Sequence, residues 1–167
     1  YMKDWIKNYE KRTGRELDLY SGGLKIYTTI NAEMQENAEE AVQEHMSNLQ
    51  RVFDIIKEDR KYGPFYFDED PAGNVKAILD RAMKNTQRYR GLKKKGASMD
   101  SIRDVFNTKI PMTVFTWQGD KDTLMSPMDS IMYYKGLYQV GLMSVEPQTG
   151  FVKAWVGGND YQYFKYD

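Results

Sequence analysis

The sequence predicts an α+β fold: an antiparallel sheet with one long covering helix and a small helical insertion. Three observations carry that prediction. Residues Leu24 to Ile30 alternate in the manner of a strand, Ala32 to Lys57 carries a continuous helical apolar stripe, and Leu137 to Val156 reads as two strands around a turn. The 167-residue length suits one domain or one domain with an insertion.

Tyr1 to Thr13 is expected to be a short amphipathic helix, with Met2, Trp5, Ile6 and Tyr9 at helical spacing and Gly14 as its stop. Those four side chains are expected to stay unusually exposed, as a face awaiting a partner. Gly22-Gly23 marks a turn. In the strand that follows, Leu24, Ile26, Thr28 and Ile30 share one face and Lys25, Tyr27 and Thr29 the other. Asn31 is a favoured N-cap, and Glu33 and Glu36 sit near the positive end of the next helix. Its stripe runs through Met34, Ala38, Ala41, Val42, Met46, Leu49, Val52, Phe53 and Ile56, which is read as core, against a polar face of Glu36, Glu39, Glu40, Gln43 and Glu44.

The middle of the chain changes character. Lys57 to Tyr62 is charged, and Asp68 to Gly73 is a turn cluster. Val75 to Tyr89 is predicted helical, Arg90 to Ala97 a basic loop, and Ser98 the cap of a short helix bearing Met99, Ile102, Val105 and Phe106. Pro111 to Trp117 is predicted to be a strand and Gln118 to Asp122 a turn. Ser126-Pro127-Met128-Asp129 is a helix start, with Ser as cap, Pro in the first helical position and an acid at the third, and Gly136 ends that helix. The domain reading is therefore 1–23 as N-terminal helix and connector, 24–58 as strand plus long helix, 59–136 as a mainly helical insertion, and 137–167 as hairpin and tail.

Composition excludes several functions. There is no cysteine, hence no disulfide or thiol chemistry, and a single histidine, His45, leaves a Ser-His-Asp triad without a credible base. Lys and Arg total 24 against 24 Asp and Glu, so the basic excess of a nucleic-acid binder is missing. No run of about 20 apolar residues exists to span a bilayer. The acids of Asp68 to Asp70 suggest a calcium loop, but Ala72 and Leu79 stand where such a loop needs an oxygen and a bidentate carboxylate. Asp120 and Asp122 read as turn residues rather than metal ligands. Arg88, Arg90 and Lys93-Lys94-Lys95 read as a solvated basic stretch. The tyrosines Tyr133, Tyr134, Tyr161, Tyr163 and Tyr166 suit either an interaction surface or ordinary edge packing. No catalytic, cofactor or metal residue is assigned.

Two stretches carry a family resemblance. Asp18 to Asn31, followed by Met34-Gln35 and Ala38 to Val42, resembles the stretch of class A penicillin-binding proteins that joins the glycosyltransferase domain to the transpeptidase domain. Ser144 to Gly158, with Pro147, Thr149-Gly150, Ala154 and Gly157-Gly158, resembles the hairpin that begins the transpeptidase fold. Asn31 and Glu146 stand where the family usually has Asp, and both keep a turn or cap oxygen. Trp117-Gln118-Gly119 and Ser126 to Asp129 resemble the linker insertion of Bacteroidetes-type members.

The resemblance implies a fragment of a bifunctional peptidoglycan synthase, acting in cell-wall biosynthesis on the periplasmic side of the inner membrane. It implies a longer, membrane-anchored parent cut at Tyr1. Expected partners are the flanking glycosyltransferase and transpeptidase domains, and a regulatory cell-envelope protein docked on the insertion. The family's Ser-x-x-Lys, Ser-x-Asn and Lys-Thr-Gly motifs are absent: Ser21, Ser47, Ser98, Ser101, Ser126, Ser130 and Ser144 all lack Lys three residues on. Glu58-Asp59 also fails the glycosyltransferase's Glu-Asp-x-x-Phe pattern. The implied parent is an enzyme, and this piece is expected to be its non-catalytic linker. The alternatives are a stand-alone interaction or regulator-docking module without activity, and a small enzyme with an unrecognised carboxylate site.

Overall fold

A computed structural model describes residues 2–58, 63–65 and 70–164. Among these lie six helices and four strands: α1 Met2–Thr13, α2 Ala32–Glu58, α3 Pro71–Asn85, α4 Gln87–Lys94, α5 Met99–Asn107, β1 Ile110–Val114, β2 Lys121–Met125, α6 Pro127–Lys135, β3 Leu142–Val145 and β4 Val152–Val156. The fold is α+β, as the patterning requires. The charged stretch Asp59 to Tyr62, the acids Asp68 and Glu69 of the turn cluster, and Tyr166 of the tail lie outside the described residues.

Local signals act where they are strongest. Asn31 Oδ1 accepts from Met34 N at 2.9 Å to start α2. At α6, Ser126 Oγ accepts from Asp129 N and Asp129 Oδ2 accepts from Ser126 N, each at 3.1 Å, a reciprocal cap on both orphan donors. Ser98 caps α5 one way only, its Oγ accepting from Ser101 N at 3.2 Å.

Several expectations need correction. Leu24 to Ile30 forms no strand: Ile26 and Tyr27 are 61% and 90% exposed, and its tie to β4 is limited to its end, Thr29 Oγ1 to Val152 O and Asn31 N to Lys153 O. The reason is competition for the edge of β4, which the first turn of α2 already occupies. Instead of one sheet, the described residues hold two antiparallel hairpins, β1–β2 and β3–β4. The predicted turn at Gln118 to Asp122 gives way at Lys121 to β2, in register with β1 from Ile110↔Met125 to Val114↔Lys121. The loop between them turns at Gly119, whose φ of 108° suits only glycine. The strand from Leu137 shortens to β3, because Tyr138 N is taken by Gln50 Oε1 at 2.9 Å and Val140 N by Asn159 Oδ1 at 3.2 Å.

The single helix expected over Val75 to Tyr89 is two helices, and the basic stretch from Arg90 is helical through Lys94 rather than a loop. Thr86, extended at φ −74° and ψ 151°, makes the break. Its hydroxyl donates to Met83 O at 2.8 Å and accepts from Tyr89 N at 3.1 Å, closing α3 and opening α4 with one side chain.

Two apolar clusters hold the chain. Met83, Ile102 and Phe106 are the centre of the first, flanked by Tyr89, Leu92, Ala97, Met99, Met128 and Ile131, so α3, α4, α5 and α6 close around it. Val42, Met46, Phe115, Trp117 and Leu137 form the second, joined by Tyr133, Tyr134, Leu142, Val156, Tyr163 and Phe164. Only part of the α2 stripe is core. Val42 and Met46 are buried with Gln50, each one turn apart, while Leu49, Val52 and Ile56 stay exposed. The expected exposure of α1 is also split: Ile6 is buried, whereas Trp5 is exposed and stacks on Tyr9 at 5.4 Å.

Candidate functional site: the junction of α2 with the two hairpins

The sequence offers no catalytic residue, and the structure shows how its polar side chains are used. Ser21 Oγ donates to Asp18, Ser47 Oγ accepts from Gln118, Ser98 and Ser126 cap helices, and Ser130 Oγ donates to Pro127 O. The Asp18 carboxyl, with three bonds from Tyr20 and Ser21, is held below its ordinary range, Ser21 contributing most. Asp70 caps α3, accepting from Gly73 N at 3.2 Å from a left-handed backbone position. Asp122 accepts from Thr113 Oγ1 at 2.6 Å across the first hairpin, and Asp120 raises the pKa of the Tyr163 hydroxyl. His45 is exposed on α2, and Lys93, Lys94 and Lys95 are exposed at the end of α4.

What the structure brings together is a three-way junction. At the first contact, α2 closes the outer edge of β4. The Gln35 carboxamide donates through Nε2 to Trp155 O at 2.8 Å and accepts through Oε1 from Trp155 N at 2.8 Å. One side chain thereby replaces the peptide group of a neighbouring strand. Asn31 N adds a bond to Lys153 O at 2.9 Å. The opposite strand, β3, has a strand neighbour on one side only among the described residues. Met143 and Trp155, directly paired in register, lie on the outer face and are 56% and 46% exposed. At the hairpin's turn, Glu146 accepts from Thr149 Oγ1 and lies 3.6 Å from Lys153 Nζ, and its carboxyl is lowered chiefly by the Thr149 bond.

At the second contact, the buried Gln50 stitches α2 to the end of α6. Its Nε2 donates to Gly136 O and to Asp54 Oδ1, and its Oε1 accepts from Tyr138 N, all at 2.9 Å. The sequence reading missed this residue, although its position one turn after Val42 and Met46 on a buried line was a usable signal.

At the third contact, two tyrosines complete the end of β1. Tyr133 Oη donates to Phe115 O at 2.7 Å, and Phe115 N donates to Tyr134 Oη at 3.2 Å. Burial raises the Tyr133 hydroxyl's pKa, helped by Tyr134 and Asp54. Phe115 packs edge-on to Trp117 at 5.3 Å and to Phe164 at 5.8 Å. Tyr163 is pushed up to about 12 by burial first and by Asp120 second. Tyr133, Tyr134 and Tyr163 are thus packing residues with satisfied or partnered hydroxyls, while Tyr161 is exposed.

Beneath α2 lies a cleft of about 530 Å³. Its helix wall is Ser47, Gln50, Arg51, Asp54, Ile55 and Glu58, and its other wall includes Val114, Trp117, Lys121, Thr123 and Met125 of the first hairpin.

Residues 60–138 match the model of the penicillin-binding protein middle domain. This supports a penicillin-binding protein region, and it covers the stretch in which the sequence carries no firm motif of its own. No curated protein and no solved structure matches the chain.

Proposed function

We propose that this chain is the inter-domain linker of a class A, bifunctional peptidoglycan synthase of the Bacteroidetes type, together with the hairpin that opens its transpeptidase domain. One observation carries the reading: the two stretches that resemble that family, far apart in sequence, meet at the Gln35–Trp155 contact, and the middle-domain match falls between them. The β3–β4 hairpin supports it further. A two-stranded sheet is marginal alone, and here one edge is closed by α2 while, among the described residues, the other edge and an apolar outer face stay open. Such a hairpin is suited to begin a larger sheet.

The function is mechanical. The α2 helix is about 40 Å long at the ordinary rise per residue, and it is fixed at its N-terminal end to β4 and at Gln50 to the segment after α6. A strut held at two points keeps the modules on either side of it at a set distance, so a newly polymerised glycan is presented to the cross-linking site. On this reading the chain lies on the periplasmic side of the inner membrane and performs no chemistry itself.

The test uses the full-length synthase carrying Gln35→Ala and Gln50→Ala together. Glycan polymerisation and covalent labelling by fluorescent penicillin are expected to persist while the fraction of cross-linked product falls several-fold. Unchanged cross-linking removes the positioning role. Covalent penicillin labelling of this chain alone overturns the reading outright, since no nucleophilic serine motif is present.

A further inference from the structure

We propose that the cleft beneath α2 binds a short acidic peptide segment of a partner protein, with a carboxylate held between Arg51 and Lys121. The wall formed by α2 is the first observation. Ser47, Gln50, Arg51, Asp54, Ile55 and Glu58 follow the helical spacing of a single face, and five of the six are polar. The apolar residues Leu49, Val52 and Ile56 lie off this face and are 38%, 46% and 47% exposed. Beyond the core contacts of Val42 and Met46, the C-terminal half of α2 directs a mainly polar face into a concavity.

The charges are the second observation. Arg51 on α2 and Lys121 on β2 stand on opposite walls, and neither has an ion-pair partner among the described residues. Asp54 does not balance them, because it is bound to Lys57 Nζ at 2.6 Å and to Gln50 Nε2. Glu58 is the remaining acid of the lining, at the far end of the stripe. The middle of the cleft therefore carries two cations whose natural complement is a carboxylate, which an arginine fork and a lysine ammonium bind with charge-assisted hydrogen bonds.

The floor and the dimensions identify a peptide rather than a bare ion. Val114, Trp117, Met125 and Leu137 supply apolar contact. Trp117 is 3% exposed, and its indole Nε1 is buried beneath this floor without a hydrogen-bond partner among the described residues. From Ser47 to Glu58 the wall extends about 16 Å at the helical rise per residue, the length of roughly five extended residues. Gln50 and Gln118 are already fixed by their own bonds, so the walls need little ordering on binding.

This site does not depend on the positioning role, and the failure of either leaves the other standing. The test is a fluorescence-anisotropy titration of the chain with a labelled six-residue peptide alternating Glu and Leu, against the same peptide with Gln for Glu. Saturable binding of the Glu peptide is expected, weakened about tenfold by Arg51→Ala or by Lys121→Ala, further by both, and by added salt. Both side chains are exposed, so circular dichroism of the variants should match the parent. Equal binding of the two peptides, or undiminished binding by the double variant, overturns the proposal. So does full competition by millimolar acetate, which would make the site one for a free anion.

Discussion

The two apolar clusters are built on different principles. The cluster around Met83, Ile102 and Phe106 draws on neighbouring helices, and its three central side chains are at most 1% exposed. The cluster around Val42, Met46, Phe115, Trp117 and Leu137 gathers residues from α2 to the tail and holds them with polar bonds: Gln50 to Gly136 and Tyr138, Tyr133 and Tyr134 to Phe115, and the Gln43 side chain to Trp117 O. The first is an apolar knot whose stability is area and packing. The second is a junction whose geometry is set by directional bonds, and each bond is costly to leave unmade in a buried setting.

The comparison breaks most visibly at Phe106. Phe106→Ala should destabilise by about 3–5 kcal/mol, since a fully buried ring is replaced by a cavity. Denaturant unfolding measures it. If the clusters are separable, amide exchange should accelerate in α3 to α5 before it does in α2. A uniform acceleration would show one cooperative unit instead.

Gln50→Leu sharpens the contrast. It keeps similar volume but strands Gly136 O and Tyr138 N, at a cost of about 2 kcal/mol. Exchange of the Tyr138 amide should rise more than that of its neighbours. A neutral or stabilising result would mean that packing, rather than the directional bonds, sets the junction.

The smallest effect is on pH. The Tyr163 hydroxyl is pushed up from the ordinary tyrosine range to about 12, so the folded state keeps its proton where the unfolded state has lost it. Its contribution is complete below pH 10 and is lost as pH rises to about 12. The unfolding midpoint should fall across that window, and Tyr163→Phe should flatten part of the fall. An unchanged slope would place the titration elsewhere.

Legibility in the sequence follows the same division. Ser126 with Asp129, Ser98, Asn31 and the α2 stripe were readable because a cap or a helical period needs only residues within a few positions. The strand from Leu24 to Ile30 was misread because alternation reports a capacity to pair, while the pairing itself depends on whether a strand edge is free. The edge of β4 was not free, because Gln35 had taken it. Gln50, Thr86 and the cleft between Arg51 and Lys121 were missed for a related reason: each joins groups whose partners lie elsewhere in the fold or whose local role overrides a continuous helical pattern.

By itself the sequence determined the α+β class, the positions of α2, α5, α6 and β4, and the absence of the catalytic serine and lysine motifs from these residues. These are local facts of period, cap and residue identity. Tertiary structure alone decided how much of the α2 stripe is buried, which hairpin edge is closed, and that Arg51 and Lys121 line one cleft without an ion-pair partner among the described residues. Those outcomes rest on competition among distant groups for the same hydrogen bonds and the same buried volume, which no window of sequence contains.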